Sequence, residues 1–551
     1  MIIPSINSEY PMKTTASHRY LDQKAGTSGL RKRVSVFQQD DYLETYIQSI
    51  FDCNPDFIGG KICLGGDGRF YNDVAINTIV GMAAANGVSE VILGRDGMLS
   101  TPACSHIIRK RKLDGGFVLS ASHNPGGPDG DFGIKLNLAN GGPAPAHVTD
   151  KIHQQSCELE HYKKRAVAFD FTQIGTQKIG GFTLRIIDPV VDYADLMENC
   201  FDFSAIRDLL SGEFEMSFDA LHAVTGPYAV EIFCNRLGVD KAAVRNAVPL
   251  PDFGGGHPDP NPVHAKALFD IMFGPDAPQF GAASDGDGDR YIALGPKQYV
   301  SPSDSLAIIA ANAHLAPGYK VGIRGIARSM PTSRAADMVA EKLGIPCFET
   351  PTGWKYFGNL LESGQITICG EESAGTSSDH IREKDGLWAI LMWLNILAVR
   401  KQSLAEIVSE HWRTYGRHYY TRHDYEAVEI SGAQAVMERL RGKLTALSGH
   451  VIEGEVISRA DSFTYTDPVD GSVTENQGLR VFFESGSRIV FRLSGTGTVG
   501  ATLRLYIERY EAPDGDHTMD VAAATATLAE IADQITDLKS TLGCDAPTVI
   551  S

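Results

Sequence analysis

The chain has 551 residues, 43% hydrophobic, 9% aromatic and 21% charged, with 50 Lys+Arg against 68 Asp+Glu and a net charge of −18. At roughly 150 residues per domain, that length implies about three to four domains, and the composition excludes a disordered, collagenous or disulfide-dense chain. An acidic protein of this kind is a poor partner for nucleic acid or an anionic membrane, so any anion it binds must be held by a local cationic pocket.

The longest apolar run, Leu387–Val399, contains Asn395. It falls short of the roughly 18 residues of a membrane span and suits a buried helix. The first twenty residues hold no apolar stretch of the signal-peptide kind, and the nine cysteines include no CxxC pair. Reduced thiols in a cytoplasmic protein are the expectation.

In chain order, Lys61–Gly65, Glu90–Gly94 and Gly116–Ser120 read as short buried strands, with helices over Asn72–Asn86 and Thr101–Lys112 between them. That βαβαβ order predicts a mostly parallel sheet with helices on its faces. The pattern recurs as strand Phe214–Asp219, helix Pro227–Leu237 and strand Phe280–Ala283, then as strand Tyr319–Ile323, helix Thr332–Leu343 and strand Gln365–Cys369. After about residue 410 the texture changes to antiparallel-looking strands, Leu479–Phe483, Arg488–Leu493 and Thr502–Glu508, and a helix over Met519–Leu538. The expected organisation is three related mixed α/β domains, 1–190, 191–305 and 306–410, and a C-terminal α+β domain, 411–551.

Unusual polar residues follow the strands, where open α/β sheets bind their ligands. Ser120-Ala-Ser-His-Asn-Pro-Gly-Gly127 describes an exposed hydroxyl on a sharp turn whose glycines admit an anion to the backbone. Ser284-Asp-Gly-Asp-Gly-Asp-Arg290 sets Asp285, Asp287 and Asp289 side by side. Three hard oxygen donors so close together call for a cation such as Mg²⁺ or Ca²⁺. An EF-hand is ruled out, because its sixth position is Arg290 and its twelfth is Pro296. Gly370-Glu-Glu-Ser offers Glu371 and Ser373 as short polar readers of sugar hydroxyls, with Arg382 and Lys384 ahead of the apolar helix. A cationic pair at a helix start implies a bound phosphate or a nearby carboxylate. Arg492-Leu-Ser-Gly-Thr-Gly-Thr-Val-Gly500 contains a literal GxGxxG (Gly495, Gly497, Gly500), but an alternating strand follows it where a Rossmann fingerprint needs a helix. What remains is a phosphate clamp of hydroxyls, backbone N–H groups and Arg492 and Arg504. Gly26–Arg31 and Thr350–Lys355 add further hydroxyl, glycine and cation groups. Together these constellations point to phosphoryl transfer on a phosphorylated polyol.

Six strings in this order, GTSGLRKR, LSASHNPGGPDGDFGIK, DGDGDR, PTGWK, GEES…DHIREKDGLWA and RLSGTGT, resemble the phosphoglucomutase family of the α-D-phosphohexomutase superfamily. The resemblance runs from about residue 20 to beyond 500 and implies three α/β domains and an α+β domain around a central cleft. It implies interconversion of glucose 1-phosphate and glucose 6-phosphate through glucose 1,6-bisphosphate, with the phosphate carried on Ser122. By the same resemblance, Ser122, Asp285, Asp287 and Asp289 hold Mg²⁺, and Arg31 and Arg290 flank the phosphoserine. Thr27, Ser28, Thr352, Gly353, Glu371, Ser373 and Lys384 contact substrate, and Arg492, Ser494, Gly495, Thr496, Gly497, Thr498 and Arg504 clamp the phosphate that is not transferred. His123, Lys135 and Lys384 are the candidates for moving the proton. The expected partner is a phosphosugar, and the expected state is a monomer or weak dimer. Departures are small: Ala374 stands where a Phe is common, Ser377 where a Gly is, and Pro262 where a Leu is. A dual-specificity phosphomannomutase/phosphoglucomutase and a noncatalytic paralogue with a scaffold role are the rival readings.

Overall fold

The computed structural model describes residues 12–497 and 500–551. The chain divides into two compact units, one running to Pro302 and adding Asn312–Ile323 and Gly353–Leu404, the other made of Ser303–Ala311, Arg324–Thr352 and Ala405–Ser551.

The first unit is built on a seven-stranded sheet. Its strands are β1 (Leu30–Arg33), β2 (Lys61–Gly66), β3 (Glu90–Met98), β4 (Gly115–Leu119), β5 (Asp131–Leu138), β6 (Gly175–Ile179) and β7 (Phe182–Ile187), in the order β1-β5-β4-β2-β3-β7-β6. The central pairs β4–β2, β2–β3 and β3–β7 are parallel. Ile62, Cys63 and Leu64 of β2 and Phe117, Val118 and Leu119 of β4 are all buried, as continuous apolar strands covered on both faces must be. Helices α1 (Tyr42–Cys53), α2 (Asn72–Ala85) and α3 (Thr101–Arg111) supply Tyr46, Ile50, Ile79 and Ile107 to buried positions. Ser100 caps α3 by accepting the Ala103 N–H at 3.2 Å.

The second sheet of this unit carries β8 (Met216–Asp219) parallel to β9 (Phe280–Ser284), and β9 antiparallel to β10 (Tyr291–Gly295). Ser284 pairs with Tyr291, so residues 285–290 form a hairpin loop. The expected helix over Pro227–Leu237 begins at Thr225 and widens into π turns over Val230–Arg236. Strands Ile368–Glu371 and Gly375–Ser378 form a second hairpin. Helix Gly386–Arg400 is buried from Gly386 to Ala398. Its Asp385 cap accepts the Trp388 N–H at 3.1 Å.

The second unit holds parallel strands Ile326–Ser329 and Cys347–Thr350 on either side of helix Ala335–Leu343. The expected strand Tyr319–Ile323 is not formed: Pro317–Tyr319, in the first unit, is a 3₁₀ turn, and the strand starts at Ile326 in the second. Pro317 and Gly318 favour that turn. Tyr319 is buried there, with its hydroxyl 2.5 Å from Ser378 Oγ. The C-terminal sheet contains β11 (Arg417–Val428), β12 (Glu455–Ser462), β13 (Leu479–Phe483), β14 (Arg488–Gly497), β15 (Gly500–Glu511) and β16 (Val549–Ile550). The order β12-β13-β14-β15-β11-β16 is antiparallel throughout. Leu479, Ile489, Phe491, Leu503, Leu505 and Ile507 join Val436, Leu440, Leu528 and Ile531 of helices α4 (Ile430–Leu447) and α5 (Val521–Thr536) in one core. No helix of the described residues is long and apolar enough to cross a membrane.

Candidate active site

The end of β4 delivers Ser122 onto a turn in which its φ is +53°, a left-handed conformation that a residue with a β-carbon adopts only when its surroundings impose it. The surroundings are polar and buried. Ser122 N donates to Ser120 Oγ at 2.7 Å, and Ser120 Oγ donates to Asp67 at 2.6 Å. Arg69 pairs with Asp67 at 2.9 Å and donates to the Ser122 carbonyl at 2.7 Å. Asp67 and Arg69 follow β2, so two adjacent strand ends build one platform under the serine.

The β9–β10 loop brings three carboxylates to that serine. Ser122 Oγ donates to Asp285 Oδ2 at 2.7 Å. Asp285 Oδ1 accepts the backbone N–H groups of Asp289 and Arg290 at 2.9 and 3.0 Å. Gly286 is required here, because a Cβ on it would lie 2.4 Å from the Ser122 carbonyl oxygen. Asp285, Asp287 and Asp289 are buried, with a carboxylate oxygen of each within 4.8 Å of the others. Asp287 Oδ1 and Asp289 Oδ1 are buried with no hydrogen-bond partner among the described residues. Burial, with Asp289 and Asp287 nearby, pushes the Asp285 carboxyl well above its usual range. Three converging hard donors with unsatisfied oxygens fit a divalent cation.

Lys135 on β5 reaches the same cluster, with its Nζ on Asp287 Oδ2 and 3.1 Å from Asp289 Oδ2. Burial opposes its charge, but Asp287 and Asp289 outweigh that and hold the ammonium firmly protonated. Burial likewise pushes Asp289 up, yet Lys135, Lys384 and Arg290 keep it ionised. Thr101, at the start of α3, donates its hydroxyl to Asp287 Oδ2 and its N–H to the Asp287 carbonyl at 2.9 Å. His123 Nδ1 stands 3.4 Å from Ser122 Oγ. Arg290, then burial and Arg31, hold that imidazole far below its usual range and hence neutral. Arg31 Nε and Arg290 Nε are buried without hydrogen-bond partners among the described residues.

Glu371 ends its strand with Oε1 accepting the Gly353 N–H at 2.8 Å and Oε2 3.5 Å from Lys384 Nζ. Lys384 lies across Gly375, where a Cβ would fall 2.3 Å from its Cδ, and its ammonium is 5.9 Å from the Trp354 ring centre. Ser373 is half-buried in the turn of that hairpin. Thr27 is exposed and Ser28 half-buried on a turn closed by Gly26 N to Gly29 O at 2.9 Å. A Cβ on Gly353 would lie 3.7 Å from Thr27 Cγ2, so these two loops are neighbours. Thr352 closes a segment of the second unit, and its hydroxyl is buried without a hydrogen-bond partner among the described residues. The misplaced cationic pair before helix Gly386–Arg400 is answered by carboxylates: Arg382 pairs with Glu362 and Lys384 with Glu371.

In the second unit, the register sets Arg492 opposite Arg504 and Ser494 opposite Thr502. It also sets Asp424 opposite Arg504 and Arg422 opposite Tyr506. Alternation sends these side chains to the face away from Leu503 and Leu505 of the core. Arg492 donates to the Tyr506 hydroxyl at 3.3 Å. The glycine motif runs through a strand pair and opens no helix. Gly495, Thr496 and Gly497 continue the β14 backbone, and Thr498 lies outside the described residues. Sequence reasoning missed Asp67, Arg69, Thr101, Arg422 and Asp424. The string Gly65-Gly-Asp-Gly-Arg-Phe70 after the first strand was the available signal for two of them.

A buried serine against a triad of carboxylates, at strand ends of mixed α/β sheets, defines a phosphohexomutase. Family models for phosphoglucomutase/phosphomannomutase α/β/α domains I, II and III match residues 22–163, 191–298 and 302–415, and one for the phosphoglucomutase-1 C-terminal domain matches 417–548. The chain therefore belongs to the phosphoglucomutase/phosphomannomutase family of the α-D-phosphohexomutase superfamily. It is 58% identical to phosphoglucomutase of Rhizobium radiobacter, over 98% of this chain and 100% of that one. It is 49% identical to human phosphoglucomutase-1, over 98% and 99%. The open-form crystal structure of pp63/parafusin, a phosphoglucomutase from Paramecium, matches with a TM-score of 0.92 at 45% identity, over 98% and 99%.

Proposed function

We propose that the protein is a phosphoglucomutase that interconverts α-D-glucose 1-phosphate and D-glucose 6-phosphate through a phosphorylated Ser122. The observation that carries this reading is the Ser122 hydroxyl, 2.7 Å from Asp285 and backed by two further buried carboxylates. Asp285, Asp287 and Asp289, with the Ser122 oxygen, would hold Mg²⁺, which when bound offsets the negative charge on the transferring phosphoryl group.

Ser122 carries the phosphoryl group. A sugar hydroxyl attacks phosphorus, the new P–O bond forms as the Oγ–P bond breaks, and the hydroxyl proton passes to a base. The product, glucose 1,6-bisphosphate, turns over and returns its other phosphoryl group to Ser122 Oγ, and the freed sugar oxygen takes up a proton. Arg31 and Arg290 stand beside the serine as anion partners. His123, Lys135 and Lys384 are the candidates to move the proton; Lys135 is held by two carboxylates, and the His123 imidazole is kept neutral by Arg290, burial and Arg31. Glu371, Ser373, Thr27, Ser28, Thr352 and Gly353 read sugar hydroxyls. Arg492, Ser494, Arg504 and residues Gly495, Thr496, Gly497 and Thr498 take the phosphate at rest. The four expected domains divide these tasks as serine, metal loop, sugar loop and clamp, in a cytoplasmic protein.

Intact mass with and without glucose 1,6-bisphosphate tests the phosphoserine, and a coupled glucose 6-phosphate assay tests turnover. Gain of one phosphoryl mass and sustained turnover are expected. A chain that neither gains that mass nor turns over glucose 1-phosphate would be the scaffold paralogue.

A further inference from the structure

Three arginines crowd one sheet face in the second unit. Arg504 and Arg492 are direct cross-strand partners on β15 and β14, and Arg422 lies on β11 two residues from Asp424. Like charges directly opposite one another repel, and a long guanidinium side chain can relieve that by swinging into solvent. Arg504 is about one-third exposed, so part of its side chain already reaches solvent. Asp424 is the carboxylate that faces these cations. It is 2% exposed and directly opposite Arg504, with Oδ2 3.7 Å from Arg504 Nε and Oδ1 3.0 Å from Arg422 Nε. Its backbone is fixed from the other edge, because Thr548 donates its N–H to the Asp424 carbonyl at 2.8 Å and Val549 pairs with it in β16. The pair is not saturated. Arg504 Nε is buried without a hydrogen-bond partner among the described residues, while Asp424 Oδ1 is taken up by the ion pair to Arg422.

We infer that Asp424 is a positioning residue for phosphate capture. It holds the Arg504 guanidinium on the sheet face against repulsion from Arg492, leaving its other nitrogens to meet the resting phosphate. The ordering is done before substrate arrives, so the bound state does not have to supply it. This inference rests on the reading of Arg504 as part of the clamp.

A double-mutant cycle on the full chain with glucose 1-phosphate tests it. Asp424→Asn should raise KM by about tenfold, the scale of one charge-assisted contact, with a smaller change in kcat and an unchanged thermal midpoint. Arg504→Ala should raise KM by at least as much. In the Arg504→Ala background, Asp424→Asn should change KM less than about twofold, because its only route to the phosphate is gone. Asp424→Ser serves the same cycle if the Asn variant does not fold. Additive effects, an unchanged KM, or tighter binding in Asp424→Asn would each overturn the inference while leaving the clamp intact. A silent Arg504→Ala would remove the clamp reading and the inference with it.

Discussion

Ser122 keeps its left-handed φ of +53° because Asp67, Arg69 and Ser120 grip both its N–H and its carbonyl. Asp67 and Arg69 have fully buried side chains, so removing one leaves an uncompensated charge in the interior. Arg69→Met should therefore lower stability by about 3–5 kcal/mol and slow phosphorylation of Ser122, seen in denaturant unfolding and in time-resolved mass. Unchanged stability would mean that the pair is not what holds the turn. The acidic triad makes a different demand, since its repulsion is only partly offset by Lys135. Chelation should abolish turnover and Mg²⁺ restore it. Asp287→Ala should cost several orders of magnitude in kcat, as loss of a metal contact worth several kcal/mol in the transition state implies. Full activity in excess chelator would end the metal reading.

At the scale of elements, strand Cys347–Thr350 places Glu349 among Arg328 at 3.0 Å, Arg488 at 3.4 Å and Arg480. Burial opposes its ionisation, but Arg328, Arg488 and Arg480 outweigh that and hold it at about 2. Its folded pKa lies below the unfolded value near 4.3, so its contribution is complete above that pH and is lost as pH falls towards 2. The amount is about 3 kcal/mol at most. Glu349→Gln should flatten the acid limb of unfolding between about pH 4.5 and 2, and an unaltered limb would count against it. None of this is legible in the sequence, because Arg328, Glu349, Arg480 and Arg488 meet only through tertiary folding. The same holds for Lys135 on Asp287 and for Asp424 opposite Arg504, which need sheet register. Strands β2, β3 and β4 were legible because they are unbroken apolar runs between glycines. The Ser122 and Asp285–Asp289 loops were legible because such residue strings are costly without a ligand. Tyr319–Ile323 misled because its local apolar pattern imitates a strand, while Tyr319 is spent on a buried hydroxyl contact with Ser378.

The whole molecule bears a net charge of −18, yet its substrate is a phosphate ester, so binding must come from local cations; the proposed function assigns that task to Arg31, Arg290 and Lys384 in one unit and Arg492 and Arg504 in the other. In the proposed function, covalent capture by Ser122 and resting-phosphate binding by Arg504 fall to residues of different units, so they should fail differently. Ser122→Ala deletes the acceptor, so no phosphoprotein should form and turnover should vanish at any substrate concentration. Arg504→Ala keeps the acceptor and deletes a contact worth roughly 1.5–3 kcal/mol. It should still accept phosphate from glucose 1,6-bisphosphate, with KM raised and kcat lowered, because remote binding energy also orients the reacting oxygen. Mass spectrometry of both variants after bisphosphate treatment, alongside steady-state kinetics, separates the two roles. A phosphorylated, active Ser122→Ala enzyme would displace the acceptor to another residue. An Arg504→Ala enzyme unable to take phosphate at all would show that the second unit governs the transfer itself as well as the grip on substrate.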